Sequence, residues 1–500
     1  MLILNSLLFF LAGGILCDKP NFVIILTDDQ DVTMGGMTPM KHVRRLIGEE
    51  GMTFANTFVS SPICCPSRAS ILTGLHVHNH GTRNNTLEGG CYGPQWQKLE
   101  KNTFATALQG AGYRTFYAGK YLNEYGRTDR GTTVPPGWTE WHGLVGNSRY
   151  YDYTLSNNGV PTHSEDLYLT DIIRDISVNF LENQTEPFLM VLAPPAPHQP
   201  FTPAPRHRDA FRDVAAPRTP IFNVAAKDKH WLMMMPPSPL PESLLPELDR
   251  AYRSRWEALL AVDEMVADVM AMLKKGEKDN TYVIYTSDNG YHVGQFSQVY
   301  DKRQPYESDI RVPLLIKGPA IKPNVTSLQP VMNIDLAPTI LKLAGLEVPE
   351  SMDGRAIDVL GDDGLKERTM LVEYFGQGQD WRVDSTCPWK YDGEYLDECL
   401  PLYDCKCQDS RNNTYACLRR IGKEVNDKYC EFKDTKDFIE IYDLNADPYE
   451  LCNLKKETMG AFLAWYHHVL NAMVSCKGSD CDPTCFLKLV FFSLFLSIAS

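Results

Sequence analysis

The sequence predicts an α/β protein: a doubly wound sheet followed by a smaller, disulfide-rich α+β subdomain. Three observations carry this. Several apolar runs are continuous rather than alternating, the pattern of strands covered on both faces. Each ends in a polar cluster, and segments of helical spacing lie between them. Beyond Leu371 the apolar runs shorten and cysteines crowd.

In chain order, Leu2 to Leu16 is apolar apart from Asn5, Ser6 and two glycines. It is too short to span a membrane and reads as a secretory signal over residues 1–17, although no Lys or Arg precedes Lys19. The main α/β domain is expected over residues 18–370. Phe22–Leu26 runs into Thr27-Asp28-Asp29-Gln30-Asp31, and Tyr113–Ala118 into Gly119-Lys120. Phe188–Leu192 runs into a Pro-rich turn ending at His198, and Tyr282–Tyr285 into Thr286-Ser287-Asp288-Asn289-Gly290. Asp249–Lys275 is the clearest helix, with Tyr252, Trp256, Leu259, Leu260, Val266, Met270 and Leu273 near helical spacing. Ala193–Pro205 and Met233–Pro246 read as long surface loops. Doubly wound sheets bind ligands beyond the carboxyl ends of their strands, where each of these polar clusters stands. The cysteine-rich subdomain is expected over residues 371–485. Residues 486–500 are apolar except for Lys488 and the serines. This tail is short for a membrane helix. It reads as a GPI signal attached near Gly478, Ser479 and Asp480, or as a buried terminal segment.

The 500-residue chain carries 49 Lys and Arg against 63 Asp and Glu, a net charge of −14. That balance argues against general nucleic-acid binding and against whole-surface capture of polyanions. Fourteen cysteines, ten of them from Cys387 onward, indicate a disulfide framework formed in an oxidising compartment. Cys405 and Cys407 are read as disulfide cysteines, of open pairing, rather than zinc ligands, since no CxxC pair or His cluster accompanies them. Sequons at Asn84, Asn183, Asn324 and Asn412 fit a glycoprotein.

Asp28-Asp29 at one strand end and Asp288-Asn289 at another bring carboxylates together, which is costly unless a cation neutralises them. An oxygen-only donor set suits Ca²⁺ or Mg²⁺ rather than zinc. The same dipeptides are also turn formers.

The run Cys64-Cys65-Pro66-Ser67-Arg68-Ala69-Ser70-Ile71-Leu72-Thr73-Gly74 contains Cys-x-Pro-Ser-Arg and resembles the signature of the type I, formylglycine-dependent sulfatases. The resemblance implies the alkaline-phosphatase-like form of the α/β fold. It implies that Cys64 is converted to formylglycine by the formylglycine-generating enzyme. One hydroxyl of the hydrated aldehyde then attacks sulfur, and the other expels sulfate by re-forming the aldehyde. It implies one Ca²⁺ held by Asp28, Asp29, the modified Cys64, Asp288 and Asn289. It places Arg68, Lys120, His198 and Lys302 around the sulfate, with His292 on the substrate side. Lys302 precedes Tyr306-Glu307 and Arg311-Val312-Pro313 in the family's spacing. Leu122 stands where arylsulfatases carry a second His after the lysine corresponding to Lys120. His78 and His80 read as structural or rim residues. Fourteen cysteines less Cys17 and Cys64 leave an even number to pair.

Further segments, including Gly119-Lys120-Tyr121-Leu122-Asn123-Glu124-Tyr125 and Thr286–Ser297, resemble the branch acting on 6-sulfated N-acetylglucosamine, over roughly residues 19–475. That branch implies removal of 6-O-sulfate from heparan and keratan sulfate by an exo-acting lysosomal enzyme. Its partner is a sulfated glycosaminoglycan and not nucleic acid. Secretion or a cell-surface location, with membrane attachment only through a GPI signal, is the alternative. An extracellular 6-O-endosulfatase is the competing activity, but the basic insertion of those enzymes has no counterpart here. A phosphodiesterase of the same fold is more remote, because Cys64 occupies the place of its Ser or Thr.

Overall fold

A computed structural model describes residues 19–275, 279–361, 364–378, 382–389 and 395–482. The expected signal, residues 1–17, and the apolar tail, residues 486–500, lie outside the described residues. The strands in chain order are β1 (Asn21–Thr27), β2 (Met52–Phe58), β3 (Arg114–Lys120), β4 (Glu140–Leu144), β5 (Tyr153–Asn157) and β6 (Val160–Ser164). There follow β7 (Phe188–Ala193), β8 (Thr281–Ser287), β9 (His292–Val293), β10 (Tyr300–Asp301), β11 (Leu314–Lys317) and β12 (Val325–Met332). The C-terminal strands are β13 (Arg368–Tyr374), β14 (Leu396–Asp397), β15 (Asp409–Ser410), β16 (Tyr415–Ile421), β17 (Asn426–Phe432) and β18 (Ile439–Asp443).

Ten strands form one sheet in the order β12-β2-β11-β8-β1-β7-β3-β4-β5-β6. The four runs expected as buried strands are its adjacent centre, β8-β1-β7-β3, all parallel. β11 is antiparallel to both neighbours, and β5 and β6 make an antiparallel edge. The unbroken apolar character of β1 has a simple cause. Phe22, Ile24 and Leu26 enter one core, beside the helices Cys64–Thr73 and Leu336–Leu343. Val23 and Ile25 enter the opposite core, beside the helices Leu169–Glu182 and Leu245–Lys275. A strand between two helical layers has no wet face, so no polar alternation survives.

The long helix begins at Leu245, four residues before the expected Asp249. Pro246 lies in its first turn, where a missing N–H removes no intrahelical bond. Trp256 and Leu260, expected on the buried face, are half-buried. The stretch Met233–Pro246 is therefore only partly loop, since helical turns Trp231–Met234 and Glu242–Leu244 interrupt it.

The second sheet, β13-β16-β17-β18, is antiparallel throughout. Its first strand starts at Arg368, so a boundary between residues 370 and 371 cuts β13; the division falls ahead of Arg368. One face packs on the helix Gly460–Met473. The other shares a core with Phe58, Ile310, Val312 and Met332 of the first unit. Buried Glu307, beside Arg419 at 2.9 Å and Lys428 at 3.2 Å, adds a charged seam between the units.

Among the described residues five disulfides join Cys65–Cys91, Cys387–Cys405, Cys399–Cys407, Cys417–Cys430 and Cys476–Cys481. Cys405 and Cys407 are thus both disulfide-bonded, to different partners. Cys452 is exposed and has no disulfide partner among the described residues, and Cys485, the other cysteine left over, lies outside them. The sequon residues Asn183 and Asn324 are exposed, and Asn84 and Asn412 are half-buried. Among the described residues no helix is long and apolar enough to cross a membrane.

Candidate active site

The polar clusters at the carboxyl ends of β1, β3, β7 and β8 meet in one place. β1 delivers Asp28 and Asp29 and its neighbour β8 delivers Asp288 and Asn289; all four side chains are wholly buried. Carboxylate oxygens of Asp28, Asp29 and Asp288 lie within 4.8 Å of one another. Asp288 Oδ1 accepts from the backbone N–H of Asp29 at 3.0 Å, which stitches the two loops together. Asp29 itself has φ of 72°, in the left-handed region.

Three cations face these acids. Lys120, the last residue of β3, donates from Nζ to Asp28 Oδ2 at 2.8 Å and to Oδ1 at 3.0 Å. Only glycine fits immediately before it, because a Cβ on Gly119 would stand 2.0 Å from the Ala193 carbonyl. Arg68 Nε donates to Asp288 Oδ2 at 2.8 Å, and its Nη1 to the Lys120 carbonyl at 2.6 Å. Lys302 Nζ donates to Asp29 Oδ2 at 2.7 Å. Three carboxylic groups face three cations, so the buried charges are paired across the cluster rather than left alone.

Cys64 is the first residue of its helix, placing it at the positive end of the helix dipole. Its Sγ lies within 4.8 Å of an Asp28 oxygen and a His198 nitrogen. Ser67 Oγ, one turn on, donates to the Asp288 carbonyl and accepts from Asn333 Nδ2 at 2.8 Å. Burial pushes the Cys64 thiol up to about 12, outweighing the pull of Lys120 and Lys302. An unmodified Cys64 is therefore a neutral thiol and a poor nucleophile.

Burial alone would raise Asp28, but Lys120, His198 and Arg68 outweigh it and hold its carboxyl well below the usual range. Burial and the Asp28 charge push Asp288 up to about 7, a shift that an added dication would reverse. Burial and then Lys302 lower His198 to about 4. His198 Nδ1 faces the Gln199 carbonyl and so carries the proton, leaving Nε2 3.9 Å from Asp29 Oδ2.

The donor set fits a hard cation. Asn289 Nδ2 donates to Asp29 Oδ1 at 2.7 Å, while its Oδ1 is buried without a partner among the described residues. An orphaned amide oxygen beside three carboxylates is what an oxygen-liganded Ca²⁺ site offers. His292 is not in the cluster itself. It lies on the β9–β10 hairpin opposite Asp301, the residue before Lys302, with Nδ1 3.0 Å from Asp309 Oδ1. His80 Nε2 is 3.0 Å from Ser70 Oγ and His78 Nδ1 2.8 Å from Glu373, both away from the acids.

A cavity of about 800 Å³ opens above the cluster, with Ser148, His198 and Lys302 in its wall. Ser148, whose hydroxyl donates to Asp28, escaped sequence reasoning, as did Asn333 and Arg255. Each comes from a loop or helix with no motif of its own. Asp31 and Asp309 carried a signal, because both sit within the strand-end cluster or the Lys302–Pro313 segment.

This fold and this site define a sulfatase. The family model described as Sulfatase matches residues 20–346, and the chain belongs to that family. Within it, the chain is 48% identical over 499 residues to the human N-acetylglucosamine-6-sulfatase, covering 95% of this chain and 90% of that protein. The goat (Capra hircus) N-acetylglucosamine-6-sulfatase is also 48% identical, over 488 residues, with coverage of 95% and 86%. The Drosophila melanogaster extracellular sulfatase SULF-1 homologue is 42% identical over 353 residues, 68% of this chain but 31% of its own length. A solved protein in complex with its substrate D-glucosamine-2-N,6-O-disulfate superposes with a TM-score of 0.71 at 26% identity, covering 91% of this chain and 97% of that one. The phosphonate monoester hydrolase of Agrobacterium radiobacter shares the fold, with a TM-score of 0.64 at 18% identity.

Proposed function

We propose that this sulfatase hydrolyses the 6-O-sulfate ester of terminal N-acetylglucosamine 6-sulfate units of heparan and keratan sulfate, releasing inorganic sulfate. The observation that carries the reading is the convergence of Cys64, three carboxylates and three cations beneath one sugar-sized cavity, in a chain so similar to N-acetylglucosamine-6-sulfatases.

In this reading Cys64 is present as formylglycine, made by the formylglycine-generating enzyme, and its hydrated form supplies the nucleophilic hydroxyl. Asp28, Asp29, Asp288 and Asn289 would hold a Ca²⁺, which when bound supplies Lewis-acid polarisation of a sulfate oxygen. The chain's own cations do the rest. Lys120 and Lys302 are anchored on Asp28 and Asp29 and present fixed positive charge to the sulfate. Arg68 Nη2 is 3.6 Å from Asp28 Oδ1 and has no hydrogen-bond partner among the described residues, so it can donate to a sulfate oxygen. His198, lowered to about 4, is a neutral imidazole in an acidic compartment, so Nε2 can exchange a proton at the cavity floor.

An exo action is supported by the cavity wall, which carries four carboxylates and four Lys or Arg side chains. Such a wall has no surplus of positive charge along which an internal stretch of polyanion could lie. A lysosomal location reached through the secretory pathway fits the five disulfides among the described residues.

The test is sulfate release from N-acetylglucosamine 6-sulfate against internal 6-sulfates of heparin oligosaccharides, with mass spectrometry of the Cys64 peptide. Turnover of the monosaccharide and a formylglycine mass are expected. Release from internal units alone would establish endo action, and an unmodified Cys64 in active protein would sink the formylglycine reading.

A further inference from the structure

Arg255 has no place in the chemistry above, yet it is one of the most deeply placed charges in the fold. It projects from the middle of the helix Leu245–Lys275 and is 2% exposed. Its Nη2 donates to the Asp29 carbonyl at 2.8 Å and to Asp31 Oδ1 at 2.9 Å. The guanidinium carbon stands 4.0 Å from the centre of the Tyr291 ring. Tyr291 follows Asp288-Asn289-Gly290, so one side chain braces both loops that carry the oxygen donors.

The backbone explains why a brace is needed. Asp29 is held at φ of 72°, a region uncommon for non-glycine residues, though Asp enters it more readily than most, and its setting here depends on the contacts around it. Its N–H is held by Asp288 Oδ1, and its carboxylate by Asn289 and Lys302. Those bonds run among the site's own residues and end on carboxylate oxygens of the kind a cation would take. The bond from Arg255 uses the main-chain carbonyl instead. Arg255 is itself fixed, because Asp31 Oδ2 is anchored by the N–H groups of Met34 at 3.0 Å and Gly36 at 3.2 Å.

We infer that Arg255 is a positioning residue for the oxygen cage, locking Asp29 in its left-handed form and bracing Tyr291 so that Asp29 and Asn289 face one divalent cation. The inference rests on the reading of this cage as a Ca²⁺ site.

The test is calorimetric titration of Ca²⁺ into full-length protein stripped with a chelator, for the wild type, Arg255→Met and Arg255→Lys. Arg255→Met is expected to weaken Ca²⁺ binding tenfold or more. Arg255→Lys should fall between, since one ammonium cannot span both acceptors and the ring. Activity of both variants should recover as Ca²⁺ is raised, which a merely structural defect would not do. Wild-type affinity in Arg255→Met overturns the inference. A wild type that binds no Ca²⁺ fails differently, removing the calcium reading and this inference with it. If circular dichroism shows Arg255→Met to be unfolded, Arg255→Lys decides: unchanged affinity overturns, and weakened affinity with recovery at high Ca²⁺ supports.

Discussion

Lys120 Nζ lies 2.8 Å from Asp28 Oδ2, and neither side chain is reached by solvent. A buried pair of this kind leaves an uncompensated charge when one partner is removed. Lys120→Met is expected to cost about 3–5 kcal/mol of stability and to lower kcat/KM by about 10²–10³ through the lost sulfate contact. Calorimetric unfolding and steady-state kinetics check the two parts separately; near-wild-type kcat/KM would remove Lys120 from the sulfate pocket.

Cys64→Ala should abolish turnover, by at least about 10³-fold if the nucleophile is lost, while circular dichroism stays that of the wild type. The buried thiol also gives a labelling prediction. Iodoacetamide applied to native protein should modify exposed Cys452 and spare any unconverted Cys64 until denaturant is added, read by peptide mass spectrometry. Native labelling of Cys64 would contradict its burial.

His78 offers a pH test remote from the acids. Its Nδ1 is 2.8 Å from Glu373 Oε2 and its Nε2 is 3.0 Å from the Cys476 carbonyl, both of which can only accept. Burial would lower its pKa, but the Glu373 contacts outweigh it and raise the group above its ordinary 6.5. A raised histidine stabilises fully below that ordinary value, and the benefit is lost as pH rises through the folded one. His78→Gln should therefore cost about 1–2 kcal/mol at pH 5 and clearly less at pH 8.5. Equal losses at both pH values, by thermal unfolding, would refute the charged contact.

Arg303 follows Lys302 and has φ of 93°. Its guanidinium holds Asp301 at 2.8 Å, Gln377 at 3.0 Å and Glu398 at 2.9 Å, and Tyr415 donates to its carbonyl at 2.9 Å. The C-terminal unit thus fixes the backbone that presents Lys302. Arg303→Met is expected to reduce kcat/KM by about 10–100-fold through misplacement of that ammonium. Unchanged kcat and KM would show that Lys302 is held without it.

The legible part of the site was the part written in strands. Asp28, Asp29, Asp288 and Asn289 end continuous apolar runs, and a run between two helical layers announces both its burial and where its ligands fall. Cys64 and Arg68 were legible through their signature. Lys120, His198 and Lys302 read as ordinary lysines and a loop histidine until the resemblance joined them. Arg255, Ser148 and Asn333 were not legible at all, because each reaches the cluster from an element whose local sequence obeys only packing. The same limit hid the antiparallel insertion of β11 and the pairing of the cysteines: both are settled by which surfaces meet, not by spacing along the chain.

Cys64 lies sealed at the foot of its helix, with the Cys65–Cys91 bond closed directly beside it. Under the proposed chemistry, any enzyme that converts Cys64 must reach it before the chain closes over that residue. On that reading the opportunity would come once in the life of each molecule, before the fold closes. Under that chemistry a molecule that left the cell unconverted would stay inactive, and specific activity would record the history of the cell that made the protein rather than the protein's age.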